Sequence, residues 1–262
     1  MTQPTASFLE PTAEGERLAY LAVAGEAPTV VWLGGFRSDM RGTKAERLEA
    51  AARREGHAFL RFDYSGHGES GGRFEEGTLS RWTADALRAI DALAPGPLVL
   101  VGSSMGGWIA LLTARILRER GEAGRLRGLL LLAPAPDFTS RLVEPGLTAA
   151  DREALARDGF VARPSEYSSE PTLYTRALIE DGAAMAVMDR PIETGCCVHI
   201  IQGMDDPDVP HTHALELLSH LPADGVTLTL VQGGDHRLSR EEDLLRMERA
   251  LADLVTSARE TP

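Results

Sequence analysis

The 262-residue chain is short of several residue types, and each shortage removes a class of function. Lys44 is its only lysine, and 27 basic side chains face 39 acidic ones for a formal charge of -12. An acidic surface of this kind repels phosphate backbones and anionic lipid, so neither nucleic acid nor an anionic membrane is an expected partner. Cysteine occurs twice, at the neighbouring positions Cys196 and Cys197. Neighbours in sequence close only a strained ring and cannot staple a fold, which points to a reducing compartment. No apolar run approaches the roughly 20 residues of a membrane-spanning helix. The opening Met1-Thr-Gln-Pro-Thr-Ala-Ser7 is neither charged nor apolar, so no secretory signal or arginine-rich transit peptide is read there and a cytoplasmic location is expected. There is no glycine-rich phosphate loop, dinucleotide fingerprint or C-x-x-C pair, and no cofactor is expected.

What remains is 43% hydrophobic, enough for one full core in a single α/β domain. Short apolar runs at Leu18 to Val23, Thr29 to Leu33, Ala58 to Phe62, Leu98 to Val101, Leu129 to Leu132, Val198 to Ile201 and Thr227 to Val231 read as strands. Segments with apolar residues three and four apart lie between most of them: Thr43 to Glu55, Leu79 to Leu93, Met105 to Arg120, His213 to Leu221 and Arg240 to Ser257. Strand and helix in alternation predict a mainly parallel, doubly wound sheet. One interval breaks the rhythm. Pro134 to Thr194 is too long for a plain loop and carries helical signals of its own, a capping box at Thr148-Ala-Ala-Asp151 and Pro171 at the head of Leu173 to Ile179. Residues 135–194 are therefore expected to form a helical cap over the site.

The chemistry centres on Gly102-Ser-Ser-Met-Gly106, which follows the strand at Leu98 and opens the helical pattern at Trp108. G-x-S-x-G between strand and helix is the nucleophile elbow, whose sharp turn lifts the middle serine, Ser104, above the sheet edge. A serine hydroxyl needs a base, and the base needs a third group to hold its tautomer. Of seven histidines only His236 follows the last strand, in a glycine-bearing loop. The acid is sought after the preceding strand. There Gly203, Asp206 and Val209 fit the G-x-x-D-x-x-V turn, and Asp205, Asp208 and Asp137 stand as alternatives to Asp206. Two backbone N-H groups suit an oxyanion, that of Met105 after the nucleophile and that of Phe36 in Trp32-Leu-Gly-Gly-Phe36. A zinc reading of the same acidic stretch with His211 and His213 is disfavoured, because residues two apart on a helix face different ways. The run Asp63-Tyr-Ser-Gly-His-Gly-Glu-Ser70 is expected to shape a loop.

Beyond the elbow, the segments Gly42-Thr-Lys-Ala45, Arg61-Phe-Asp-Tyr-Ser-Gly66, Val101-Gly-Ser-Ser-Met-Gly-Gly-Trp108, Gly203-Met-Asp-Asp206 and Asp235-His-Arg237 resemble the mitochondrial α/β-hydrolase-domain proteins that act as palmitoyl-protein thioesterases and acyl-glucuronide esterases. In the cap only Ser165-Glu-Tyr167 matches. The resemblance implies the α/β-hydrolase fold and removal of acyl groups from a small-molecule ester or an acylated protein, with Ser104, Asp206 and His236 at the catalytic positions. A general short-chain carboxylesterase and a non-catalytic ligand-binding member are the alternatives, and the oligomeric state stays open. Arg37, Arg41 and Arg61 are candidates for meeting an anionic leaving group; Leu173, Tyr174, Met185 and Met188 are candidates for lining an acyl pocket.

Overall fold

Parallel strands buried on both faces need apolar side chains at every position, and the centre of this molecule has them. In a computed structural model that describes residues 4–13, 15–164, 171–222 and 225–260, β5 (Leu98–Ser103) is buried at all six positions. Around it an eight-stranded sheet runs in the order β1-β2-β4-β3-β5-β6-β9-β10, with β1 (Ser7–Leu9), β2 (Leu18–Val23), β3 (Glu26–Leu33), β4 (His57–Phe62), β6 (Leu126–Leu132), β9 (Cys197–Gly203) and β10 (Val226–Val231). β1 pairs antiparallel with β2, and β2 with β4. The pairings from β4 through β3, β5, β6 and β9 to β10 are parallel.

Helices cover both faces. One apolar core joins the sheet to α2 (Leu79–Leu93), α3 (Met105–Glu119) and α6 (His211–His220), and a second joins the opposite face to α1 (Thr43–Arg54) and α7 (Glu241–Glu260). This is the doubly wound arrangement expected; β2 spans the residues read for it, and the other long strands run one to three residues beyond theirs, where backbone pairing outruns the apolar run. No helix among the described residues is long and apolar enough to cross a membrane.

Between β6 and β9 the chain makes one π-helical and one 3-10 turn over 139–146, then α4 (Ala149–Asp158), β7 (Phe160–Arg163), β8 (Thr172–Thr175) and α5 (Arg176–Ala184). The capping box forms as read: Thr148 Oγ1 accepts the Asp151 N-H at 3.2 Å, and the Asp151 carboxylate accepts the Thr148 N-H at 2.8 Å. Pro171 does not head a helix. Thr172 to Thr175 pairs antiparallel with Phe160 to Arg163, because threonine, leucine and tyrosine suit a two-stranded ladder. The helix waits for Thr175, whose hydroxyl accepts the Leu178 N-H at 3.1 Å. Ser165 to Tyr167, the stretch of the expected cap that resembled the family, lies outside the described residues.

Candidate active site

Ser104 sits at the sharp turn from β5 into α3. It caps α3 with φ 54° and ψ -119°, a backbone that costs a non-glycine residue on the order of 1–3 kcal/mol and persists only where the surroundings hold it. The surroundings do: its N-H donates to Leu132 O at 2.9 Å and its carbonyl accepts from Gly107 and Ala135 N-H at 2.9 and 3.1 Å. The turn also demands glycine. A Cβ on Gly106 would stand 2.0 Å from the Leu33 carbonyl oxygen, and one on Gly102 would stand 2.4 Å from that of Gly106.

The other two side chains arrive on loops after β9 and β10 that are tied to each other. Met204 N-H donates to Val231 O at 2.9 Å and Asp205 N-H to Gly234 O at 2.9 Å, while a Cβ on Gly203 would lie 2.3 Å from Gly234 O. This crossing sets His236 over Asp206. His236 Nδ1 is 2.8 Å from Asp206 Oδ2, and His236 Nε2 is 3.1 Å from Ser104 Oγ. The Asp206 side chain has no exposed surface, whereas 17% of the His236 side chain is open.

Burial alone would raise the Asp206 carboxyl. Hydrogen bonding and charge from His236, the Val209 N-H and the Gln202 amide outweigh it, and its pKa falls below the ordinary carboxylate value. Of the carboxylates weighed for this role, Asp206 is the one paired with the His236 ring, and Asp205 contributes its backbone N-H to the loop crossing. Asp208 gives its N-H to Asp206 Oδ1 at 2.9 Å; Asp137 accepts Val187 and Met188 N-H at 2.9 and 2.8 Å; Asp235 accepts Leu238 N-H at 2.8 Å. Of the histidine pair weighed for zinc, His213 is buried with Nε2 2.9 Å from Pro136 O. Asp206, Asp208 and His236 present potential ligand atoms within 4.8 Å of one another, but the Asp206 oxygens already accept from Val209, Gln202 and His236.

Two residues of the site had no signal in the sequence. Gln202, fully buried on β9, donates to Asp206 Oδ2 at 3.0 Å and to Val209 O at 2.9 Å, so it holds the carboxylate and its turn together. Ser38 fixes the turn after β3. Its N-H and hydroxyl donate to Gly35 O at 3.2 and 2.8 Å, which orients the peptide unit whose other end is the Phe36 N-H. That turn lies against the elbow, since a Cβ on Gly35 would be 3.3 Å from Ser104 Cβ. On the other side of Ser104 no side chain caps the start of α3, leaving the Met105 N-H among the helix's orphan donors. A glutamine within a strand and a serine in a loop are too common for either to have been singled out.

Ser104 and His236 open onto a cavity of about 710 Å³. Its lining includes the apolar side chains of Phe36, Phe138, Leu142, Val143, Tyr174 and Val209 and the polar ones of Arg37, Ser38, Thr43, Lys44, Asp208 and Arg237. Of the residues expected at an acyl pocket, only Tyr174 is there, its ring stacked on Phe36 at 5.6 Å between centroids. Met188 is 1% exposed in the core, Met185 packs against that core, and Leu173 lines a smaller neighbouring cavity. Phe138, Leu142 and Val143, in the stretch after β6, line the cavity instead. Of the three arginines only Arg37 lines the main cavity. Arg61 is buried and donates to Glu49 at 2.6 Å and to Met40 O at 2.7 Å, and Arg41 donates to Glu69 and Pro4 O.

Residues 30–258 match the Alpha/beta hydrolase family. The chain belongs to this family. It is 33% identical over 239 residues to the mitochondrial palmitoyl-protein thioesterase ABHD10 of Homo sapiens, a match covering 91% of this chain and 76% of that protein. Among solved structures, a putative hydrolase from Agrobacterium vitis shares 50% identity with a TM-score of 0.91, covering 96% of this α/β-hydrolase and 98% of that chain. The α/β hydrolase domain-containing protein 10 from mouse shares 31% with a TM-score of 0.86, covering 97% and 99%.

Proposed function

We propose that this α/β-hydrolase cleaves acyl thioesters or carboxylic esters through an acyl-enzyme on Ser104. The observation that carries the reading is the hydrogen-bonded line from Ser104 Oγ through the His236 ring to the buried Asp206 carboxylate, at 3.1 and 2.8 Å, open to a cavity lined by both apolar and polar side chains. Ser104 Oγ bonds to the acyl carbon while His236 Nε2 takes its proton, and Asp206 keeps Nδ1 as the donor so that Nε2 is free to accept. The oxygen of the tetrahedral intermediate is held by the N-H groups of Phe36 and Met105. The proton passes to the departing thiolate or alkoxide, the bond from acyl carbon to sulfur or oxygen breaks, and a water deprotonated by His236 then releases the acid.

Residues 135–194 act as the cap, laying Phe138, Leu142, Val143 and Tyr174 along the acyl side. The leaving group faces Arg37, Thr43 and Lys44. The relation to the palmitoyl-protein thioesterase ABHD10 supports an acyl-group hydrolase and makes acylated proteins candidate substrates beside small esters. The free thiols of Cys196 and Cys197 suit a reducing compartment such as the cytoplasm.

The test is kcat/KM for matched acyl thioesters and oxygen esters of increasing chain length, with Ser104→Ala as control. Wild-type turnover should fall at least about 10³-fold in the variant. Preference for longer thioesters supports a thioesterase acting on acylated cysteine; preference for short oxygen esters supports a general carboxylesterase. Activity surviving in Ser104→Ala would overturn the assignment.

A further inference from the structure

His67 belongs to the loop expected only to shape the fold, yet it reaches the turn that carries Phe36. It is 4% exposed, and its ring sits edge-on among Tyr64, Phe74 and Trp82 with centroids 5.7, 5.1 and 5.2 Å away. Nδ1 is 3.2 Å from the carbonyl oxygen of Ser65, which can only accept, so Nδ1 carries the proton. Trp82 Nε1 donates to that same carbonyl at 3.1 Å, and the Ser65 N-H is taken by Asp85 at 2.8 Å, so the support behind the ring is itself fixed. Nε2 is left with a lone pair and accepts the Arg37 N-H at 3.2 Å.

Arg37 needs holding. It has φ 59°, the left-handed region that L side chains other than glycine, asparagine and aspartate rarely occupy. The peptide unit between Phe36 and Arg37 is pinned by His67, and the preceding one, which ends in the Phe36 N-H, has its carbonyl pinned by Ser38. We infer that His67 is a positioning residue for the oxyanion turn, accepting the Arg37 N-H so that the neighbouring Phe36 N-H points at the intermediate formed on Ser104. This rests on the reading of Phe36 as an oxyanion donor. Burial lowers the His67 ring to about 4, with Arg37 adding to the fall and the Ser65 hydrogen bond opposing it. At neutral pH the ring is therefore uncharged, as an acceptor nitrogen requires.

Two amides separate this role from packing. His67→Asn keeps a donor near Nδ1 for Ser65 but has nothing at the Nε2 position, whereas His67→Gln extends an amide oxygen toward Arg37. Rates are taken per active site titrated with a fluorophosphonate, so that a misfolded fraction does not count. His67→Asn should lower kcat about ten- to a hundredfold with KM changed less than about twofold. It should weaken binding of an alkyl trifluoromethyl ketone, which adds to Ser104 as a tetrahedral oxyanion, by a similar factor, and His67→Gln should recover most of both. An unchanged kcat per site in His67→Asn, a loss confined to KM, or a loss that glutamine does not reverse overturns the inference. Should His67→Asn yield no folded protein, His67→Leu takes its place. Silence of the wild type, or activity in Ser104→Ala, marks failure of the underlying reading instead.

Discussion

Lys44, the chain's only lysine, stands at the start of α1 and lines the cavity beside the proposed leaving-group side. Burial drives its amine down from the ordinary 10.5 to about 8; the carboxylates of Asp235 and Asp206 pull it back up in part, and Arg237 adds to the fall. The linkage has a definite sign. Below pH 8 the lysine is charged in both folded and unfolded chains, so the folded state carries the whole cost. As pH rises from 8 to 10.5 the folded state sheds its proton first, and the cost fades. Lys44→Met should therefore raise stability at pH 7 by about 2 kcal/mol, discounted for the part of the side chain that still meets water, and by progressively less toward pH 10.5. Thermal unfolding of both proteins at pH 7 and pH 10 checks this; a Met variant no more stable than wild type at pH 7 would show that the neighbouring carboxylates fully compensate the amine.

At the scale of elements, the decisive junctions are those where two backbones come closer than a side chain allows. Gly106, in the first turn of α3, lies under the carbonyls of Leu33 and Gly34, at 2.0 and 2.6 Å from where a Cβ would be. Those are backbone atoms at the end of β3, just before the turn that carries Phe36, so they cannot swing aside as a flexible side chain would. Gly106→Ala is expected either to prevent soluble folding or to push α3 off β3, with a loss of about 3 kcal/mol or more from overpacking. Soluble yield and fluorophosphonate labelling of Ser104 report the two outcomes. Normal yield with normal labelling would mean that the elbow relaxes more than its contacts suggest.

At the scale of the whole molecule, the segment proposed as the cap, residues 135–194, is closed on itself and fastened to a flanking helix by polar contacts among the described residues. Asp137, 1% exposed and with φ 54°, accepts the N-H groups of Val187 and Met188 and so clamps the end of the segment beyond α5 to its own start. Ser80 and Asp181 add a second tie, α2 to α5, at 2.8 and 2.5 Å. Asp137→Ala leaves two buried donors without an acceptor, at about 1–3 kcal/mol apiece. The expected result is a lower melting temperature with faster proteolytic cleavage of the insertion, while Asp137→Asn, which keeps an acceptor and tolerates the left-handed backbone, loses less. Cleavage at the wild-type rate in Asp137→Ala would assign the stability of the insertion to its apolar contacts instead.

Much of this was legible along the chain. Strands such as β5 and β6 are apolar at consecutive positions because they are buried on both faces, and amphipathic helices between them advertise which side meets the sheet. Ser104 could be found because the elbow needs small residues at fixed spacing, and His236 because it follows the last strand. Local order also determined the capping box of α4, a hydrogen-bond pattern closed within four residues. Other features depended on distant partners. Thr172 to Thr175 became a strand only because Phe160 to Arg163 was there to pair with it. Asp206 was separated from Asp205, Asp208 and Asp137 by which carboxylate meets the His236 ring, which the crossing of the two loops at Gly203 and Gly234 decides. Arg61 left the list of substrate-facing arginines because Glu49 lies beside it in the fold, and His67 gained a role because Arg37, thirty residues earlier, presents an N-H to it. Periodicity and spacing report what a residue does within its own element, whereas hydrogen bonds between loops depend on how the sheet brings their ends together.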